Sequence, residues 1–280
     1  MSQDGLSLYL RDYGDDSSKA TPVLCLSGLT RNSRDSHWLA RRLSAHRRVL
    51  CPDYRGRGRS QYDPEWRRYH PATYVGDLRH MLAALNVHRV YVIGSSLGGI
   101  VTMAMGAAMP TSLAGALIND VGPEIDPSGL SDIIAYMTAP TPLAGWDEAV
   151  ARMQHHFPKI PATTDTEWLE VTKGAFQERG DGKIIHDWDD GLVKPLLGAA
   201  GEMIDLWPLF GSLRRFPLIV VRGGNSDILL ESTFRRMAEM MPEMISLTVP
   251  GVGHMPTLAE PEVLEILDAQ LAHIDAAGHK

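Results

Sequence analysis

A serine set between glycines, Gly94-Ser95-Ser96-Leu97-Gly98, is the stretch of this 280-residue chain best suited to covalent chemistry. The pattern is G-x-S-x-G, in which a strained turn holds the serine hydroxyl clear of the backbone and the flanking positions tolerate little more than hydrogen. Gly99 relieves the same crowding. A hydroxyl becomes a useful nucleophile only when a base takes its proton, and the base is held in the right tautomer by a carboxylate. His254, in Gly251-Val252-Gly253-His254, is the candidate base, and Asp227, in Gly223-Gly224-Asn225-Ser226-Asp227, is the preferred acid. Asp120 stands second as acid, because it too follows an apolar strand-like run. Each residue has a plainer alternative. The glycine turn could be incidental or could cradle a phosphate, His254 is one of 11 histidines, Asp227 could cap a following helix, and Asp120 could serve a turn.

These groups meet only if regular elements carry them to one edge. Val90 to Ile93 is an apolar, β-branched and aromatic run, predicting a strand buried on both faces, and Leu97 to Met109 predicts a helix of small and apolar residues. The N–H groups at the start of that helix point above Ser96, where an oxyanion would form. Strands are predicted over Leu6 to Tyr13, Pro22 to Ser27, Arg48 to Pro52, Leu113 to Ile118, Phe216 to Arg222 and Ile245 to Val249. Helices are predicted over Ser36 to Ala45, Thr73 to Leu85, Glu231 to Met241 and Pro261 to Ile274. Such alternation predicts a parallel sheet with right-handed crossovers, whose sites assemble at the carboxyl ends of the strands. The rhythm stops between about Pro123 and Pro208, a stretch holding Trp146, Trp168, Trp188 and Trp207. An interruption of that length is predicted to be an inserted helical cap over residues 123–208, on a core formed by residues 1–122 and 209–280. The loop Asp53-Tyr54-Arg55-Gly56-Arg57-Gly58-Arg59-Ser60 opens no helix at its last glycine and is taken as a connection, and the Arg-dense stretch Arg55 to Arg68 as mostly solvated.

Composition limits the remaining classes. The formal net charge is −7 and no basic run stands out, which argues against nucleic acid or an anionic membrane as partner. Cys25 and Cys51 each fall in an apolar strand-like run and are expected to pack as reduced thiols; no spaced Cys/His set suggests a metal. No stretch has the pattern of a signal peptide or the length of a membrane span, so a cytoplasmic enzyme acting on a small molecule, without metal or organic cofactor, is the expectation. The sequence gives no oligomeric state.

The matching pieces SGLT at 27–30, DYRGRGRS at 53–60, GSSLGG at 94–99, NSDIL at 225–229 and GVGHMPTLAEPE at 251–262 make the chain resemble a lid-bearing α/β-hydrolase over nearly its whole length. The resemblance implies an α/β fold of the α/β-hydrolase type, with a mostly parallel central sheet flanked by helices and an inserted cap. It implies Ser96 as nucleophile, Asp227 as acid, His254 as base, and the backbone N–H groups of Leu29 and Leu97 as oxyanion donors; some members place the acid where Asp120 stands. Family members usually carry His-Gly where this chain has Ser27-Gly28. The serine nucleophile argues against relatives that attack with aspartate. Carbon–carbon bond hydrolases commonly have Trp after the catalytic histidine, whereas Met255 follows His254 here. The leading expectation is hydrolysis of an ester or lactone of a small, largely apolar substrate, with carbon–carbon bond hydrolysis as runner-up and a ligand receptor on the same fold as the non-enzymatic alternative. Arg31 and Arg34 are candidates to anchor a substrate carboxylate, or else surface arginines, and Trp146 and Trp188 are candidate pocket walls. His155, His156 and His186 are taken as cap surface or pocket wall.

Overall fold

The computed structural model describes residues 1–198 and 205–278; residues 199–204, inside the predicted cap, and 279–280 lie outside the described residues. The elements run β1 (Leu10–Tyr13), β2 (Val23–Leu26), α1 (His37–Leu43), β3 (Val49–Pro52), α2 (Pro71–Ala84), β4 (Val90–Ser95), α3 (Leu97–Ala108) and β5 (Leu113–Asn119). An insertion follows, with α4 (Pro127–Thr138), α5 (Trp146–His156), α6 (Asp165–Lys173), β6 (Phe176–Glu178), β7 (Ile184–His186) and α7 (Lys194–Gly198). The chain then passes through α8 (Trp207–Gly211), β8 (Leu218–Gly223), α9 (Glu231–Met240), β9 (Ile245–Val249) and α10 (Pro261–Gly278).

The main sheet has the order β1-β3-β2-β4-β5-β8-β9, with β1 antiparallel to β3 and every other pairing parallel. The expected α/β fold is therefore present, with β4 and β5 at its centre. Alternate strand residues feed two cores, because successive side chains point to opposite faces. Leu24, Leu50, Val92, Ile118 and Val220 pack on the side of α2 and α3. Val23, Cys25, Cys51, Ile93, Leu117 and Val221 pack on the side of α1 and α10. Both cysteines are buried and free.

Three expectations change. The first strand is shorter than Leu6 to Tyr13, because residues ahead of Leu10 bond to the glycine-rich loop instead: Tyr9 N–H donates to Ser60 Oγ at 2.8 Å and Gln61 N–H to the Ser7 carbonyl at 2.9 Å. The insertion is not wholly helical, since β6 and β7 form an antiparallel hairpin whose turn includes Gly182 at φ +79°. The stretch from Arg55 is not all solvated. Arg55 is buried and bonds to Asp4, Asp63 and Asp77, while Arg57 is wholly buried. Among the described residues Arg57, unlike the paired Arg55, has no carboxylate partner. Its Nε donates to the Leu29 carbonyl at 2.5 Å, its Nη1 to the Arg55 carbonyl and the Tyr74 hydroxyl, and the guanidinium lies against the Tyr54 and Tyr74 rings.

Among the described residues no helix is long and apolar enough to cross a membrane.

Candidate active site

Ser96 stands between β4 and α3 at φ +52° and ψ −116°, a left-handed conformation that is costly for a residue with a Cβ. The turn is possible because its neighbours are glycines. A Cβ on Gly98 would land on the Leu26 carbonyl oxygen, one on Gly94 on the Gly98 carbonyl oxygen, and one on Gly99 on the Val121 side chain. Ser96 N–H donates to the Asn119 carbonyl at 2.9 Å, tying the turn to the end of β5.

His254 Nε2 lies 3.0 Å from Ser96 Oγ, and its Nδ1 lies 2.7 Å from Asp120 Oδ2. The carboxylate that meets the imidazole is thus Asp120, not the preferred Asp227. Asp120 follows β5, the strand beside β4, and its side chain is fully buried. It sits at φ +53°, a conformation that aspartate tolerates better than most residues. Gly223 N–H donates to its Oδ1 at 2.8 Å and Ser226 hydroxyl to its Oδ2 at 2.7 Å. The loop after β8 therefore supplies a donor to the acid rather than the acid itself. Asp227, the next residue, turns outward: its side chain is 42% exposed and pairs with Lys159 of the insertion at 3.2 Å.

The His254 loop is held from two sides. Asn119 Nδ2 donates to the Pro256 carbonyl at 2.9 Å, and Gly253 N–H donates to the Lys159 carbonyl at 3.2 Å. Neither Asn119 nor Lys159 stood out in the sequence; Asn119 could have been noticed beside Asp120 at the strand end.

Leu29 and Leu97 flank the serine. Leu97 opens α3, where an N–H has no helical carbonyl to meet, and neither its N–H nor that of Leu29 bonds to another protein group among the described residues. Gly28 lies against the nucleophile, since a Cβ there would come 3.7 Å from Ser96 Cβ. Ser27 donates through Oγ to the Arg31 carbonyl at 3.2 Å and closes the loop.

A cavity of about 610 Å³ opens on Ser96 and His254, walled by Leu29, Ile133, Met153, Phe157 and Ile160 among others. Arg31 and Arg34 also line it. Arg31 is clamped on Asp35 and donates to the Val171 carbonyl at 3.0 Å; Arg34 donates to the Lys173 carbonyl at 2.8 Å. Trp146 and Trp188 are not in its wall. Trp146 Nε1 donates to Glu178 at 3.3 Å, and buried Trp188 stacks on His186 with centroids 4.0 Å apart while its backbone bridges to Arg57. His155 and His156 line a second cavity of about 370 Å³ that also reaches His254. No group of three or more potential metal ligands is present among the described residues.

Burial pushes the Asp187 carboxyl up to about 6, against the opposing pull of Arg34. Burial likewise raises the Tyr136 hydroxyl, in the cavity wall, further above its ordinary value, so it stays protonated.

Such an array can take a proton from Ser96 Oγ, hold the resulting imidazolium against a buried carboxylate, and leave two free N–H groups beside the serine. The model of the family described as the alpha/beta hydrolase family matches residues 23–265. The chain is 41% identical to an alpha/beta hydrolase of known crystal structure from Novosphingobium aromaticivorans, which covers 97% of this chain and 96% of that one with a TM-score of 0.88. It is 32% identical to a 3-hydroxybutyrate-oligomer hydrolase of Cupriavidus necator over 91% of this chain and 89% of the relative. It is also 30% identical to the lipase LipV of Mycobacterium tuberculosis over 95% and 98%.

Proposed function

Because the chain belongs to the α/β-hydrolase family, we propose that it is a serine hydrolase that cleaves an ester or lactone of a small, largely apolar molecule through an acyl-Ser96 intermediate. The single observation that carries this reading is the placement of one imidazole, His254, 3.0 Å from Ser96 Oγ on one side and 2.7 Å from Asp120 on the other.

In the proposed reaction His254 Nε2 takes the Ser96 proton as Oγ attacks the carbonyl carbon. Asp120 keeps Nδ1 protonated and stabilises the imidazolium. The negative charge that collects on the substrate oxygen is met by the N–H groups of Leu29 and Leu97. His254 then returns its proton to the leaving alcohol, and a water activated by the same imidazole releases the acid from Ser96. The roughly 610 Å³ cavity is of the size that encloses a small organic molecule, and its wall of Leu29, Ile133, Met153 and Phe157 suits an apolar body. Oligomers of 3-hydroxybutyrate, from the name of the Cupriavidus necator relative, are natural first substrates to try.

The test is a series of p-nitrophenyl esters of increasing acyl length together with a fluorophosphonate label. The expected result is turnover that peaks at short acyl chains, with one covalent adduct on the peptide carrying Ser96. Both turnover and adduct should vanish in Ser96→Ala. Undiminished turnover or labelling in that variant would refute the assignment.

A further inference from the structure

The wall of the large cavity carries more cations than carboxylates, against the sign of the chain as a whole. Arg11, Arg31, Arg34 and Lys173 line it beside Asp35 and Glu170, in a protein of formal net charge −7. Two of the cations are matched by these carboxylates. Arg31 Nε and Nη2 each lie 2.6 Å from Asp35, and Lys173 Nζ lies 3.0 Å from Glu170.

The other two are not matched inside the cavity. Arg34 spends Nη1 on the Lys173 carbonyl, its nearest carboxylate is a long 3.7 Å contact with Asp187 outside the cavity wall, and its side chain is 40% exposed. Arg11 has a buried Nε with no hydrogen-bond partner among the described residues. That Nε is enclosed and out of a ligand's reach, so Arg11 adds charge to the wall, while the half-exposed Arg34 keeps donors that no carboxylate of the cavity wall holds.

We propose that Arg34, assisted by Arg11, is a carboxylate site, so that the ester cleaved at Ser96 bears a free carboxylate away from the reacting carbonyl. This rests on the hydrolase reading above and specifies its substrate class as the acylated hydroxy acid with a free acid end. A guanidinium presents a planar fork that matches a carboxylate, and its charge acts more strongly beside apolar walls than in water. The surplus is two separated charges rather than a converged cradle, which suits a monoanion. The site is also rigidly tied to the nucleophile. Arg34 belongs to the segment that begins at Gly28, against Ser96, and that segment is pinned by Arg57 at the Leu29 carbonyl and by Ser27 at the Arg31 carbonyl.

The test compares acetate release from 3-acetoxybutyrate and from its neutral analogue 3-acetoxybutyramide. The expected kcat/KM ratio favours the acid by about tenfold or more, the scale of one charge-assisted hydrogen bond, and shrinks as salt is added. The ratio should fall toward one in Arg34→Met, and in part in Arg11→Met, which serves if the first variant fails to fold. A wild-type ratio near one, or a ratio untouched by both substitutions, overturns the carboxylate site while p-nitrophenyl butyrate is still hydrolysed. Absence of Ser96-dependent turnover of p-nitrophenyl butyrate instead overturns the hydrolase reading itself.

Discussion

Arg57 lies behind the loop that carries Leu29, a wholly buried guanidinium held by the Leu29 and Arg55 carbonyls, the Tyr74 hydroxyl and two tyrosine rings. Its grip on the Leu29 carbonyl fixes that residue beside Ser96, so in the proposed mechanism it positions an oxyanion donor without touching substrate. Arg57→Met is expected to lower kcat by about 10²-fold, the cost of a misplaced catalytic group, with KM for a neutral ester little changed. Steady-state kinetics checks this, and an equal change in KM alone would place Arg57 in substrate binding instead. Nothing in the sequence separated Arg57 from Arg59, since both sit in one Arg-Gly repeat and only the fold shows which is enclosed. The same limit applies to the acid. Asp120 and Asp227 both follow sheet strands, and spacing along the chain could not tell which carboxylate turns inward. The positive φ at Asp120 and the donation from Ser226 exist only once β5 and β8 lie side by side.

At the scale of elements, the strand–turn–helix around Ser96 was legible because its rule is steric and local. Gly94, Gly98 and Gly99 are small for reasons that the turn itself imposes. Gly98→Ala would drive a methyl into the Leu26 carbonyl oxygen, which is main chain and cannot rotate away. Overpacking of this kind is expected to cost about 3 kcal/mol or more, read as a lowered midpoint in chemical denaturation. A variant as stable as the parent would mean that β2 and α3 are less tightly apposed than described. The β6–β7 hairpin was not legible, because two three-residue strands give too short an alternation to stand out in a tryptophan-rich stretch. Trp146 and Trp188 were misplaced for a related reason: a large aromatic in an insertion can line the pocket or glue the insertion together, and these two do the latter.

Over the whole molecule, the insertion is fastened to the sheet at points that bear on the site. Lys159 meets Asp227 and the His254 loop, and Asp187 meets Asn32 at 2.9 Å behind the Leu29 loop. Burial raises the Asp187 carboxyl to about 6, so the folded protein holds that proton more tightly than the unfolded chain does. Its stabilising effect is complete below the unfolded value near pH 4 and is lost as pH rises through about 6. Asp187→Asn keeps an acceptor for Asn32 but cannot ionise. Its stability relative to the parent is expected to rise between pH 4 and pH 7, by up to about 3 kcal/mol from the size of the shift. Denaturation midpoints of the two proteins across that range check this, and parallel curves would contradict it.

In the proposed mechanism Asp120 holds His254 in the tautomer that takes the Ser96 proton, and kcat for a p-nitrophenyl ester in Asp120→Asn and Asp227→Asn, measured side by side, tests that assignment. A loss of about 10⁴-fold is expected in Asp120→Asn, where the imidazole is left in the wrong tautomer, and a change of less than about tenfold in Asp227→Asn. A full loss in Asp227→Asn with Asp120→Asn still active would contradict it.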